Sequence, residues 1–215
     1  MDASSNDDCP DERMNMNLFF DIETIPSGVI PELDDIKAPA NYKVEATIQA
    51  WRKENQIEVY KKQALNSMQG RIICIGYSFE GNFYISKGDE HSILLELAAN
   101  ICGNYDPYQW IGWNISSFDI PWLWRKAIQH NIPALRNIIP HGNRVMMTDL
   151  MRVWAADYKD YVSLSDCAKF LGIEHDGGNG SEIYDLWQSG NIDAIAEHCK
   201  RDIETTMEIY ERITQ

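Results

Sequence analysis

Asp21 and Glu23 stand two apart in the run Leu18-Phe19-Phe20-Asp21-Ile22-Glu23. On an extended strand, side chains two apart share a face, so these carboxylates converge while Phe20 and Ile22 face the other way. Two such acids repel each other unless a cation lies between them. Read alone, the pair equally fits a solvated strand end. Asp119 follows the segment Gly112-Trp113-Asn114-Ile115-Ser116-Ser117-Phe118, where an apolar strand gives way to a loop or first helical turn. Alone, it reads first as an acid complementing a helix N-terminus. His198 and Asp202 are four apart, a spacing that places both on one helix face, and alone they read as an exposed pair.

Taken as a set, the four acids and the histidine meet the needs of phosphoryl transfer. Carboxylates are hard oxygen donors suited to Mg²⁺ or Mn²⁺. Two ions about 3.5–4 Å apart can hold the attacking water and the leaving oxygen of an in-line displacement. His198, with an ordinary pKa of about 6.5, can accept the water's proton near neutral pH. Asp149 stays outside the set and reads as structural, a contact at a helix start. His130, His141 and His175 lack ligand spacing and read as surface residues, and Trp122 and Trp124 as core.

The elements that must position these groups follow from periodicity. Residues 17–23 predict a strand, and Gly28 closes the turn after it. Residues 44–65, with periodic Ile48, Trp51, Ile57, Tyr60 and Leu65, predict an amphipathic helix. Residues 71–79 and 82–86 form a hairpin about Gly81. A helix is expected over 90–102, a strand over 109–113, and a helix with Pro121 in its first turn to about His130. Ser163 to Asp166 has the form of a capping box, with a helix ending at Gly172. A glycine-rich loop, 176–181, precedes a short helix around Leu186, and a last helix covers about 192–213. This order predicts an α/β fold with a mixed central sheet flanked by helices. Residues 1–16 read as an acidic flexible leader and 17–215 as one domain.

The segments FDIET, GWNISSFDIP and HCKRDIETT, in that order, resemble the three motifs of the DEDD 3′-5′ exonucleases, which have an RNase H-like fold. The segments KAPANYK, GRIICIGY and GSEIYDLW are similar to the stand-alone branch related to the proofreading domain of family-B DNA polymerases. The resemblance covers roughly residues 17–213. It implies that Asp21, Glu23, Asp119 and Asp202 bind two metal ions, Mg²⁺ or Mn²⁺, and it places the base at position 198. The polymerase-like branch usually has Tyr four residues before the last Asp, and the His-containing branch has His five before; this chain has His at the Tyr spacing. The resemblance also makes Asn114 and Phe118 candidates to touch the terminal nucleotide, with core packing the other role open to Phe118. Thr24 and Ile25 would lie along that nucleotide through their backbone.

The net charge of −14 works against a protein that grips long stretches of duplex phosphate. It is compatible with an end-directed nuclease in which divalent metals supply the local positive charge. The expected function is hydrolysis of single-stranded DNA from its 3′ end, with replication or repair proteins as partners in trans. The alternatives are an exoribonuclease and a non-catalytic RNase H-like module that binds nucleic acid or protein. The apolar runs are far below the roughly 20 residues needed to span a bilayer, and the N-terminus has no signal architecture. The five cysteines carry no CxxC pair and read as thiols of a reducing cytoplasm.

Overall fold

The strand expected from Leu18 is the middle of a five-stranded sheet in a computed structural model that describes residues 16–103, 108–142, 146–156, 159–175 and 181–215. Strand β1 (Met16–Pro26) pairs antiparallel with β2 (Gly70–Phe79), which turns back into β3 (Asn82–Lys87). On its other side β1 pairs in parallel with β4 (Tyr108–Gly112), and β4 with β5 (Met147–Asp149), giving the order β3-β2-β1-β4-β5. The mixed sheet flanked by helices is therefore present. The three-residue β5 is too short to carry a period, and nothing in the sequence reading marked it.

The described residues also hold eight α-helices: α1 (Glu45–Lys62), α2 (Glu90–Ile101), α3 (Asp119–Gln129), α4 (Pro133–Ile138), α5 (Leu150–Ala155), α6 (Leu164–Leu171), α7 (Ser181–Gln188) and α8 (Ile192–Thr214). Alternation along β1 divides them into two layers. Leu18, Phe20 and Ile22 face Leu94 and Leu97 of α2, Trp122 of α3 and Leu135 of α4. Phe19 and Ile25 face Leu150, Cys167, Ile183, Ile195 and Ile203, which come from α5 to α8. Asp21 and Glu23 share the second face, under α8.

The β1–β2 register slips between Glu23 and Thr24, so that Ile73 is an extra residue and both Ile73 and Cys74 turn toward the α8 layer. Bulges of this kind bend a strand locally and re-aim its side chains. Pro121 sits in the first turn of α3 as expected. Ser163 Oγ accepts from the Asp166 amide at 3.1 Å, and its hydroxyl donates to the Asp166 carboxylate at 2.7 Å. Gly172 ends α6 with a left-handed φ of +67°, where glycine carries no Cβ penalty.

Helix α1 corrects the amphipathic reading of residues 44–65. Of its periodic residues only Tyr60 is buried; Ile57 and Leu65 are 49% and 71% exposed, and Leu65 lies in a 3₁₀ turn after the helix. It packs mainly on the turns at 33–35 and 63–65 and the end of β1, with α7 meeting only its last turn, too little surface to cover a whole face. Cys74, Cys167 and Cys199 are buried thiols and Cys102 a partly exposed one. The leader before Met16, Cys9 and residues 176–180 of the glycine-rich loop lie outside the described residues. Among the described residues no helix is long and apolar enough to cross a membrane.

Candidate active site

β1 runs past the end of β4. Its last parallel pair is Phe19 with Ile111, so from Phe20 onward the β4 side of the strand is open. Asp119, the first residue of α3, takes that side: its Oδ1 accepts the amide of Ile22 at 3.1 Å. One hydrogen bond thus places the third acid on the residue between Asp21 and Glu23. From the opposite side of the sheet, α8 brings His198 and Asp202. His198 Nδ1 lies 2.8 Å from Glu23 Oε1 and 3.8 Å from Asp202 Oδ2. Cys199 Sγ lies 3.7 Å from the Asp21 carbonyl oxygen.

The four acids expected to act together are therefore in one place, and each one's affinity for its proton is raised. Burial pushes Asp21 well above the usual carboxylate range, and the charges of Glu23, Asp119 and Asp202 push it further. Asp119 rises to about 8, mainly through burial, with its hydrogen bonds pulling the other way. Burial also raises Glu23 and Asp202; His198 opposes the rise in both, and His175 in Asp202. Asp21 Oδ2 and Asp202 Oδ1 are buried without a hydrogen-bond partner. Buried carboxylates that repel one another and lack donors must hold protons or share a cation.

Two overlapping sets have donor atoms close enough for one ion: Glu23, His198 and Asp202, and Asp21, Glu23 and Cys199. The thiol is a poor third donor. Its contact with Cys74, followed by burial, raises the Cys199 pKa well above the ordinary value, so the sulfur keeps its proton. The carboxylates remain as the hard donors that Mg²⁺ or Mn²⁺ prefers.

The residues expected along a terminal nucleotide have mixed settings. The Thr24 hydroxyl donates to the Ala64 carbonyl at 2.6 Å, and Ile25 is wholly buried, backbone included, which corrects its expected place along a nucleotide. Asn114 is half-buried with a left-handed φ of +58°. The Phe118 ring is part-buried 5.8 Å from Trp122, which includes the core packing held open for it.

Asp149 takes the structural place expected of it, with one addition. It caps α5 and also accepts the amides of Asn114 and Ser116, each at 3.1 Å, and so fixes the loop leading to Asp119. His175 corrects its reading as a surface residue. Its side chain is 3% exposed, and its ring contacts Thr205 Oγ1 at 3.0 Å and Ser165 Oγ at 3.1 Å, with Nε2 3.9 Å from Asp202 Oδ1. No spacing in the sequence signals this, because His175 reaches α8 from another element. His130 is likewise half-buried, 2.8 Å from Glu90, whereas His141 is exposed and stacks on Trp124.

An uncharacterized protein of Methanocaldococcus jannaschii is 30% identical over 155 residues, 68% of this chain and 87% of that protein. A DNA polymerase of Archaeoglobus fulgidus is 28% identical over 135 residues, 57% of this chain but only 17% of the polymerase. Residues 62–214 match the family model described as the RNase_H superfamily. That span includes Asp119, His198 and Asp202 and begins after Asp21 and Glu23, which the sheet itself brings to them. The chain belongs to the RNase H superfamily, whose domain points to nuclease action on nucleic acid.

Proposed function

We propose that the protein is a 3′-5′ exonuclease that hydrolyses single-stranded DNA with the help of two divalent metal ions and releases nucleoside 5′-monophosphates. The observation that carries this reading is the meeting of Asp21, Glu23, Asp119 and Asp202, delivered by one strand and two helices to a buried cluster. The donor set fits a hard divalent cation, since two of its carboxylate oxygens are buried with no protein donor. When bound, Mg²⁺ or Mn²⁺ supplies the positive charge that lets the acids ionise together and polarises the phosphodiester.

The chain's own residues then have distinct parts. Asp119 is fixed by the Ile22 amide, so its carboxylate is oriented before substrate arrives. Glu23 holds the His198 ring, and His198 accepts the proton of the attacking water. The phosphorus–oxygen bond to the penultimate sugar breaks, and its 3′ oxygen leaves. The backbone of Thr24, with Asn114 and Phe118, lines the place of the terminal nucleotide. The similarity to a DNA polymerase supports DNA over RNA, and replication or repair proteins are the fitting partners.

The test is digestion of a 3′-labelled oligonucleotide with Mg²⁺ or Mn²⁺, comparing single-stranded DNA, duplex DNA and RNA. Labelled mononucleotide released from single-stranded DNA by the wild type, and lost with Asp21→Ala and Asp119→Ala, is expected. No product, or equal product from the variants, overturns the reading. Faster digestion of RNA keeps the chemistry and reassigns the substrate. Carboxylate-dependent Mn²⁺ binding by calorimetry counts against a non-catalytic module.

A further inference from the structure

At the Pro26 end of β1, beyond the carboxylates, two cations each stand over an aromatic ring. The Arg71 guanidinium is 5.7 Å from the centre of the Trp187 ring, and Lys61 Nζ is 4.6 Å from that of Tyr184. The two rings meet edge to face at 5.8 Å, and Tyr60 meets Tyr184 at 6.1 Å. Three elements build the group: α1 supplies Tyr60 and Lys61, β2 supplies Arg71, and α7 supplies Tyr184 and Trp187. Helix α7 touches both β1 and α8, the two elements that carry most of the acids. Arg71 pairs with Ile25 across the sheet, and Ile25 is two residues, about 7 Å of strand, beyond Glu23.

The charge on these cations is poorly answered by the protein. Among the described residues Arg71 is in no ion pair, and its Nε is buried without a hydrogen-bond partner. Lys61 has Asp185 at 3.7 Å, but that carboxylate is 75% exposed, and such pairs contribute little. In a chain of net charge −14, two under-compensated cations beside an acidic cluster mark a place where negative charge is expected from outside. Trp187 has one part packed on the core, while Tyr184, Lys61 and Arg71 are half-exposed. A ring anchored at one edge with a cation at its face can stack a base and meet the adjoining phosphate.

We propose that Arg71, Lys61, Tyr184 and Trp187 form a binding site for single-stranded nucleic acid, taking the nucleotides just upstream of the one in the carboxylate cluster. The site rests on the exonuclease reading for its orientation. It also resolves the conflict between an acidic chain and an anionic substrate: the strand is gripped at one small cationic, aromatic platform, not along a basic face.

The probe is 5′-fluorescein-labelled (dT)12, with binding followed by anisotropy in Ca²⁺ over a series of KCl concentrations. Arg71→Gln combined with Lys61→Gln is expected to weaken binding tenfold or more, on the order of one to two lost phosphate contacts. It is also expected to flatten the slope of log K against log salt by about 1.4. Trp187→Leu is expected to weaken binding roughly fivefold or more, with Trp187→Phe recovering most of it, since only a ring can stack. In turnover assays, the preference for (dT)12 over a dinucleotide in kcat/KM is expected to fall by the same factors. Thermal melts identify any variant that has lost its fold. Unchanged affinity and salt slope in the charge variant, or a wild type that does not bind (dT)12, overturns the site. Binding through these residues without nucleotide release sinks the exonuclease reading and leaves the site standing. Normal digestion with no effect of the variants does the reverse.

Discussion

His198 Nδ1 lies 2.8 Å from Glu23 Oε1, and this contact ties the last helix to the central strand inside the acidic cluster. Glu23 is a buried acid whose proton affinity is raised by burial and lowered by His198. The histidine favours the ionised form of Glu23, and in the proposed reaction it also accepts a proton. The two can be separated. His198→Ala is expected to lower the single-turnover rate by about 10²–10⁴, the usual range for a lost general base, and to raise the Mn²⁺ concentration needed for half-maximal rate. His198→Gln can still donate to Glu23 but cannot take a proton at neutral pH. It is expected to restore the Mn²⁺ requirement and not the rate. Quenched-flow measurements across Mn²⁺ concentrations decide this, and recovery of the rate by glutamine returns the base role to a metal-bound hydroxide.

The raised carboxylates make metal-free stability depend on pH. Asp119 ionises at about 8, and Asp21, Glu23 and Asp202 are also raised, burial being the largest cause for each. Between the unfolded carboxylate values of about 4 and the folded values, the native state holds protons that the unfolded chain has released, so stability falls as pH rises. The slope is at most about 1.4 kcal/mol per pH unit for each retained proton. Melting temperatures in chelator should drop from pH 5 to pH 8, and Mg²⁺ or Mn²⁺ should reverse the drop, most strongly at pH 8. A flat profile in chelator would mean that folding does not raise the acids' affinity for protons.

Asp119→Asn tests the same strain at one residue. The amide oxygen can still accept from the Ile22 N–H, so the start of α3 stays in place while the charge goes. In chelator at pH 8 the variant is expected to melt above the wild type, because a buried uncompensated charge is costly. With metal, its nuclease rate is expected to fall by ~10²-fold or more, the scale of losing one oriented charge-stabilising group. A variant both less stable in chelator and fully active would show that Asp119 serves the fold alone.

What the sequence made legible was whatever depends on a local period. The alternation in Phe20-Asp21-Ile22-Glu23 was enough to put two acids on one face, and a spacing of four was enough to bring His198 beside Asp202. Features set by approach between distant elements were not visible. The extra residue Ile73, the ring of His175 beside Asp202 and the hold of Asp149 on the loop before Asp119 all depend on chain crossings that leave no mark in their own neighbourhoods. Helix α1 shows the converse: a periodic apolar pattern is present, but what lies opposite fully buries only Tyr60 among its periodic residues. Periodicity states which face could be buried, and tertiary contact decides whether it is.

Gly76 shows how closely the site depends on such an approach. It pairs with Asp21 across the β1–β2 ladder, and a Cβ built there would come within 2.6 Å of both Cys199 Sγ and Ile203 Cδ1. The missing side chain lets α8 settle onto the sheet beside Asp21, which brings His198 and Asp202 into the cluster. Gly76→Ala must either push α8 outward or force its side chains off their rotamers, at a cost of about 1–3 kcal/mol. An outward shift of even 1 Å at Asp202 is expected to lower kcat by about 10²-fold, since the reacting groups lose alignment. Adding Cys199→Ala and Ile203→Val removes the two closest atoms and leaves Ile85 Cδ1 at 3.0 Å. Although each change costs stability alone, the triple variant is expected to be more stable and faster than the sum of the separate effects predicts. Chemical denaturation and oligonucleotide turnover on the full set of variants measure this coupling. Simple additivity would mean that α8 is positioned by something other than its seat on Gly76.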